Sequence, residues 1–221
     1  NGAAIGTATV TLVAGADVTC TFNNVRNPRI VIVKNTVGGN GTFTFTETSS
    51  AAGTSLSPAS PINLVTSGGS ATVNTTISGL SGAATTNVTI SEAVTAGFTL
   101  TSVNCTDLTT GTDLTTTTTP SATVTLASRQ VVLGGVATGS EVQCTFVNTR
   151  QTAGLTITKA SNGPWTVGQT GATYTLNVSN TGSAATSGTI TVRDQLPTGI
   201  GIRPATGFSP AAGWTCSYSD E

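Results

Sequence analysis

The sequence predicts an all-β fold, built as tandem immunoglobulin-like β-sandwich domains. Its apolar residues are mostly Val, Ile, Leu and Ala set among Thr, Ser and Gly, and such mixtures favour strands separated by turns. Hydrophobic residues make up 37% of the chain and the net charge is −1, which is unlike a disordered protein. The 221 residues leave room for one large β-domain or two smaller ones.

Short apolar runs bounded by turn residues predict the individual strands. The strand candidates of the central region are residues 29–34, 42–46, 71–77, 86–92, 97–105, 121–126, 130–133 and 141–148. The Thr- and Ser-rich stretches at 48–55 and 115–119 are expected to be loops.

An internal repeat indicates where the domains begin and end. The segment Asp17–Arg26 recurs as Glu141–Arg150, with every residue of the second copy 124 positions after its counterpart. Each copy is followed by an apolar strand ending in lysine, Ile30–Lys34 in one case and Leu155–Lys159 in the other. Each copy therefore reads as the last strand of one domain, with the first strand of the next domain after it.

That reading divides the chain into three parts. Residues 1–27 are expected to be terminal strands of a preceding or neighbouring unit, with strand candidates at 7–13 and 17–23. Residues 28–150 form one complete sandwich, and residues 151–221 open an incomplete one. Because unpaired strand edges promote association, we expect head-to-tail self-association in which residues 1–27 complete a sheet outside this chain's own complete domain.

Composition excludes several classes of function. Eight basic residues offset by nine acidic ones give no electrostatic footprint for nucleic acid. No apolar run approaches the length of a membrane span. The chain has no His, the usual general base and the commonest metal ligand, so we expect no enzymatic activity, no metal and no cofactor.

The four cysteines indicate disulfide chemistry and a secreted, extracellular location, since none lies in a C-x-x-C pair. Cys105 and Cys144 fall in two strands of the complete domain and are expected to be bonded, two buried free thiols being the alternative. Cys20 and Cys216 are then expected to pair outside the chain, or with each other across a junction between copies.

Three polar residues each end an apolar row of a strand. Lys34 is in register with Ile30 and Ile32, Glu92 ends the row of the 86–92 strand, and Asn148 ends that of the closing strand. Because a buried charge is costly alone, the three groups are expected to meet. The alternative is that Lys34 reaches solvent along its alkyl stem and Asn148 starts a turn.

This pattern resembles the SpaA-type, or Cna B-type, prealbumin-like domains of bacterial pili and surface adhesins. The resemblance implies an intramolecular isopeptide bond between Lys34 and Asn148, assisted by Glu92. The family's E-x-x-A-P-x-G-Y motif is present only in part, as the segment Glu92–Phe98. Desolvation is expected to lower the pKa of Lys34 and raise that of Glu92, so that a neutral amine attacks a carbonyl polarised by the acid.

The last segment resembles a second family, the bacterial surface-repeat domain of unknown function eleven. The motifs Y-x-(hydrophobic)-x-V-x-N-x-G at 174–182 and D-x-L-P at 194–197 carry the resemblance. Lys159 and Asp194 each end a row expected to face inward, beside Leu155 and Ile157 or beside Ile190 and Val192. The two residues offer a second crosslink, but an ion pair or solvent exposure is favoured because no third, catalytic acid is apparent.

The sequence as a whole predicts a structural component of an extracellular fibre, pilus-like filament or surface stalk, cross-braced by covalent bonds. The alternative is an adhesin that binds a host or matrix ligand, glycan or protein, through loops such as 47–70 or 107–120.

Overall fold

The computed structural model describes residues 9–21, 25–81, 84–201 and 210–217. The chain forms two compact units, residues 1–185 and residues 186–221. The strands in chain order are β1 (Arg29–Val37), β2 (Thr42–Ser49), β3 (Ser55–Ser57), β4 (Ile62–Val65), β5 (Ser70–Ser78), β6 (Thr85–Glu92), β7 (Phe98–Asp107), β8 (Ser121–Thr125), β9 (Gln130–Ala137), β10 (Glu141–Arg150), β11 (Leu155–Ser161) and β12 (Tyr174–Asn180). Among the described residues the helical structure is one 3₁₀ turn, Leu114–Thr116.

Strands β1–β10 form a sandwich of two five-stranded sheets. One sheet has the order β3-β5-β1-β10-β7 and the other has the order β4-β2-β6-β9-β8. The first strand β1 pairs in parallel with the last strand β10, whereas the other neighbours in both sheets are antiparallel. The chain therefore enters and leaves the sandwich on two adjacent strands that run in the same direction.

The core lies between the sheets because apolar residues alternate along their strands. Strand β10 buries every second residue from Val142 onward, and β6 does the same from Thr86 to Glu92. Two edge-to-face aromatic pairs connect the layers, Phe45 with Phe146 and Phe43 with Phe98. The all-β sandwich predicted from the sequence is confirmed.

Two edge strands and the 3₁₀ turn were not predicted. Strands β3 and β4 are only three and four residues long, too short for an alternating pattern to stand out from the surrounding Ser and Pro. The expected loop at 48–55 begins inside β2, and part of the one at 115–119 is helical. Asp113 starts that turn by accepting a hydrogen bond from the backbone N–H of Thr115, and Leu114 anchors it in the core.

The described residues before β1 lie outside the sandwich. Residues 9–21 and 25–27 are exposed and form no strand. Arg26 contacts the 28–150 domain, since its guanidinium lies 2.5 Å from Glu141 and its carbonyl oxygen accepts from the Gly139 N–H. Strand formation against a neighbouring molecule stays a prediction. The competing arrangement, in which residues 1–27 fold back onto that domain, stays a prediction as well. Part of the two strand candidates, and Asn24, the repeat counterpart of Asn148, lie outside the described residues.

Strands β11 and β12 form a separate antiparallel two-stranded sheet. Lys159 and the rest of β11 are exposed, including Leu155 at 50% and Ile157 at 54%. The expectation that this row faces inward is therefore wrong, and Lys159 has the solvent exposure that was the favoured alternative.

In the second unit, the described residues 186–201 and 210–217 form no strand or helix, so the expected inward row ending at Asp194 is not part of a strand, and Asp194 is exposed.

Candidate functional site

The candidate site lies between the two sheets, at one end of the core. Lys34 comes from β1 and Asn148 from the adjacent parallel strand β10, whereas Glu92 projects across the core from β6 in the opposite sheet. Lys34 and Asn148 have no exposed surface, and Glu92 is 3% exposed. The inward orientation predicted for each of the three side chains is confirmed.

The three side chains are in direct contact. The Nζ atom of Lys34 donates a hydrogen bond to Oδ1 of Asn148 at 2.9 Å and lies 3.6 Å from Oε2 of Glu92. The carboxamide nitrogen of Asn148 donates to Oε1 of Glu92 at 2.6 Å. The two oxygens of one carboxylate thus face different groups, one the amine and the other the carboxamide nitrogen.

Backbone and aromatic groups hold the Lys34 amine in place. Nζ also donates to the carbonyl oxygens of Phe146 and Asn35, each at 3.0 Å, and it lies 4.5 Å from the centre of the Phe43 ring. These contacts satisfy an ammonium group that would otherwise be costly to bury. The alternative in which Lys34 extends to solvent is wrong, and so is the alternative that places Asn148 in a turn.

Arg129 completes the site and was missed in the sequence. Its guanidinium contacts Oε1 of Glu92, and its Nε donates to the Glu92 carbonyl oxygen at 3.1 Å. The backbone N–H of Glu92 in turn donates to the Arg129 carbonyl oxygen at 3.0 Å. Arg129 occupies the turn between β8 and β9 with φ of 58°, in the left-handed region. Arg129 lies in a polar hairpin turn, and nothing in the sequence of that turn indicates a contact with Glu92. The contact depends on the register between β6 and β9, which cannot be read from the residues.

The contacts of Glu92 differ from the expected ones. We expected its carboxyl group to polarise the Asn148 carbonyl, but it faces the carboxamide nitrogen. Both the Arg129 guanidinium and the Asn148 amide donate to Oε1, and a carboxylate suits both because it only accepts hydrogen bonds. The Asn148 carbonyl oxygen is left to the Lys34 amine.

Burial lowers the pKa of the Lys34 amine. Desolvation lowers the pKa of Lys34 from 10.5 to about 8, although the adjacent Glu92 carboxylate raises it, and the positive charge of Arg129 lowers it further. With that pKa, about one Lys34 amine in ten is neutral at pH 7, compared with about one in three thousand for an ordinary lysine. The neutral form is the nucleophile in amide chemistry.

A family model described as a prealbumin-like fold domain, SpaA_4, matches residues 30–150, which is more than half of the chain. The chain belongs to this prealbumin-like family. No curated protein and no solved structure matches the chain. Helices suited to crossing a bilayer do not occur among the residues that the structure describes.

The prealbumin-like domain contains a disulfide between Cys105 of β7 and Cys144 of β10, with an S–S distance of 2.07 Å. The two residues are directly opposite in the antiparallel β7–β10 register, and both are fully buried. A bulge at Thr101 of β7 shifts the register further along, between Val147 and Asn148, and leaves the alternation of β10 intact. Asn148 therefore still points into the core.

Cys20 and Cys216 lie outside the prealbumin-like domain. Both are exposed and form no disulfide within the chain. Lys159, the repeat counterpart of Lys34, is exposed with its Nζ 4.0 Å from the centre of the Tyr174 ring. The environment of this lysine is therefore unlike that of Lys34.

The prealbumin-like domain holds a second buried acid that the sequence did not single out. Glu47 of β2 is 3% exposed. Its Oε1 accepts a hydrogen bond from the Thr75 hydroxyl at 3.1 Å, and its Oε2 is buried without a hydrogen-bond partner. Burial raises the pKa of Glu47 to about 7, against the opposing effect of the Thr75 hydrogen bond. The alternation of β2 marked Glu47 as inward, because Phe43 and Phe45 precede it on the same face.

The segments considered as binding loops are partly ordered secondary structure. Residues 47–70 contribute the edge strands β3 and β4, and residues 107–120 contain the 3₁₀ turn. Hydrogen bonds from Thr109 and Thr115 to Asp107 and Asp113 order the second segment. Ligand binding by either segment stays a prediction.

Proposed function

We propose that this chain is a structural subunit of an extracellular fibre, pilus-like filament or surface stalk. In this proposal its prealbumin-like domain is braced by the Cys105–Cys144 disulfide and by an isopeptide bond between Lys34 and Asn148. The observation that carries the proposal is the burial of an amine on the first strand, a carboxamide on the last strand and a carboxylate on the opposite sheet, all three in mutual contact.

The contacts supply the elements of amide exchange. Nζ of Lys34 attacks Cγ of Asn148, the atom bonded to the Oδ1 that it already contacts. A new N–C bond forms and the bond from Cγ to Nδ2 breaks. Glu92 takes a proton from the amine through Oε2 and returns one to the leaving nitrogen through Oε1, so that ammonia departs. The balance is one amine and one primary amide converted to one secondary amide and one ammonia.

The position of the bond suits a protein under tension. Tension applied along the chain enters at the start of β1 and leaves at the end of β10. Lys34 and Asn148 lie near the C-terminal ends of these adjacent parallel strands. A covalent bond there passes the load from β1 directly to β10, so the part of the chain between Lys34 and Asn148 bears none of it. The family to which the domain belongs is one of structural surface modules, which supports this role.

We further propose that the region after residue 150 is a surface-repeat domain of the second family that the sequence resembles. Its motif residues have structural roles that support this assignment. Oδ1 of Asn180 accepts hydrogen bonds from the backbone N–H groups of Gly154 and Gly182, each at 3.0 Å, and its Nδ2 donates to the Ala184 carbonyl oxygen. Tyr174 packs edge-to-face on Trp165.

Intact mass spectrometry tests the proposal. Formation of the isopeptide bond releases one ammonia. The measured mass of the oxidised chain is therefore expected to be about 17 Da lower than the mass calculated from its sequence with one disulfide. Fragmentation is expected to find the Lys34 and Asn148 peptides joined. Glu92→Gln keeps the shape of the acid but removes its proton transfer, so this variant is expected to fold at full mass. A wild-type chain at full mass, with Lys34 and Asn148 peptides separate, contradicts the isopeptide.

A further inference from the structure

Arg129 has an unusual backbone conformation for its residue type. Among the residues that the structure describes it is the one non-glycine residue with a positive φ, at 58°, a region that glycine adopts without strain. For an L-residue this conformation costs a factor of about five to thirty in the folding equilibrium. The turn is otherwise regular, with the Arg129 N–H donating to the Leu126 carbonyl oxygen at 3.0 Å. An outlier of this kind points to a function of the side chain.

The side chain of Arg129 is directed at Glu92. Three hydrogen bonds join the two residues, one between backbone groups and two from the guanidinium, which donates to the Glu92 carbonyl oxygen and to Oε1. The Arg129 side chain is only 15% exposed, and the Glu92 side chain is fully buried. Glu92 is the last residue of β6, and these bonds fix both its backbone and its carboxylate.

The hydrogen bonds at the carboxylate leave one oxygen available to the amine. Oε1 accepts from both Arg129 and the Asn148 carboxamide, whereas Oε2 is buried without a hydrogen bond and lies 3.6 Å from Nζ of Lys34. The guanidinium also competes with Lys34 for the carboxylate. Without this competition the amine and the acid are expected to close into an ion pair, in which the amine keeps its proton and cannot attack.

We propose that Arg129 is a positioning residue for isopeptide formation, which holds the Glu92 carboxylate with Oε1 on the leaving nitrogen and Oε2 free to take the proton of the amine. The proposal rests on the proposed function, because it assigns a role in forming the bond between Lys34 and Asn148. Arg129 acts on the reaction through Glu92. A displacement of about 1 Å in a group that transfers the proton can slow a reaction about a hundredfold.

Arg129 also acts on the charge of Lys34, and pH separates the two effects. The charged groups that act on the amine are Glu92 and Arg129, and burial has the largest effect on its pKa. The neighbouring strands present uncharged groups to it, the Phe43 ring of β2 and the Asn148 carboxamide of β10. With a pKa of about 8 the amine is almost wholly neutral at pH 10, so an effect through its charge disappears there. An effect through the position of Glu92 persists, because the acid still moves a proton from the attached amine to the leaving nitrogen.

Three variants of the full chain test the proposal by the rate at which about 17 Da is lost after cell-free synthesis, at pH 7 and at pH 10. Arg129→Gly removes the side chain from a backbone position that suits glycine, and it is expected to slow the bond about a hundredfold at pH 7 and at least about tenfold at pH 10. Arg129→Lys keeps the charge but loses the planar fork, and it is expected to slow the bond about tenfold at both pH values. Ser128→Gly is the matched control, because it introduces glycine into the same turn and keeps Arg129, and it is expected to leave the rate unchanged.

A second measurement does not depend on the bond. Lys34→Met cannot form it, and NMR in that background follows the exchange of the Asn148 carboxamide protons with solvent. Adding Arg129→Gly is expected to speed this exchange about tenfold relative to the backbone amides of β10, and adding Ser128→Gly is expected to leave it unchanged. A wild-type rate for Arg129→Gly at pH 10, or an unchanged exchange of the carboxamide protons, overturns the positioning role. A wild-type chain at full mass contradicts the proposed function instead, and the exchange measurement then still decides whether Arg129 holds Glu92 in place.

Discussion

Glu47 makes the stability of the prealbumin-like domain depend on pH in a direction opposite to that of most carboxylates. Its folded-state pKa of about 7 lies above the ordinary value of 4.5, because its carboxyl group is buried with one oxygen unpartnered. The folded state therefore holds a proton that the unfolded state releases. The contribution of Glu47 to the free energy of unfolding is fully present below about pH 4.5 and is lost as the pH rises to about 7. Since one pKa unit is worth about 1.4 kcal/mol, the loss amounts to about 3 kcal/mol.

Glu47→Gln tests this reasoning, because a carboxamide is neutral throughout that range. The variant is expected to remove the fall of about 3 kcal/mol between pH 4 and pH 8. Its absolute stability at low pH is expected to drop by about 1–3 kcal/mol, since a buried amide N–H₂ gains an unpaired donor. Urea denaturation at a series of pH values measures both effects, and intact mass must establish that the two proteins have the same crosslinks.

The control for Glu47→Gln is Glu141→Gln. Hydrogen bonding from Arg29, together with the charge of Arg26, holds the pKa of Glu141 below its usual range. Its contribution is present at neutral pH and is lost as the pH falls, so removing it must act in the opposite direction. Parallel curves for wild type and Glu47→Gln between pH 4 and pH 8 refute the account of the buried acid.

Three further predictions concern the covalent bonds. Replacing Cys105 and Cys144 together by Ala, in the Glu92→Gln background, is expected to lower the free energy of unfolding by about 3–4 kcal/mol in urea titrations, and unchanged stability contradicts this. The rate of isopeptide formation is followed by intact mass after cell-free synthesis. It is expected to rise about tenfold per pH unit up to about pH 8 and then to level off, because the neutral fraction of the Lys34 amine does the same. A rate that is independent of pH counts against attack by the amine. Arg129→Gln is expected to slow the bond at pH 7 and move its pH dependence upward, because the Arg129 charge lowers the pKa of Lys34; Arg150→Gln is the control, and equal rates for both variants contradict the role of Arg129.

Alternation along strands is what made the candidate site predictable. Lys34, Glu92 and Asn148 each end a row of apolar residues, and the period of two assigns all three to the core. Requiring three costly buried groups to meet then placed them together without any knowledge of the sheet order. The repeat added that β1 and β10 open and close the domain.

Features set by register or by missing neighbours were not predictable in this way. Arg129 reaches Glu92 because β6 pairs with β9, and nothing in the turn sequence encodes that pairing. The side-chain nitrogen of Asn148, rather than its carbonyl oxygen, faces Glu92. This orientation depends on the hydrogen bonds at Oε1 of Glu92, which accepts from both Asn148 and Arg129. Leu155 and Ile157 alternate along β11 as the isoleucines of β1 do. Burial also needs a second layer to cover the row, and the alternation within one strand does not show whether such a layer is present.

Force spectroscopy of single molecules tests most directly whether the prealbumin-like domain is covalently braced against tension. Lys34 and Asn148 are 114 positions apart, and the disulfide closes 39 of these. If the isopeptide is present, pulling on the two ends of the oxidised chain is expected to release no length from between these residues. Glu92→Gln is expected to release the remaining 75 residues, which gain about 25 nm. A release of about 25 nm from the oxidised wild-type domain contradicts the central claim.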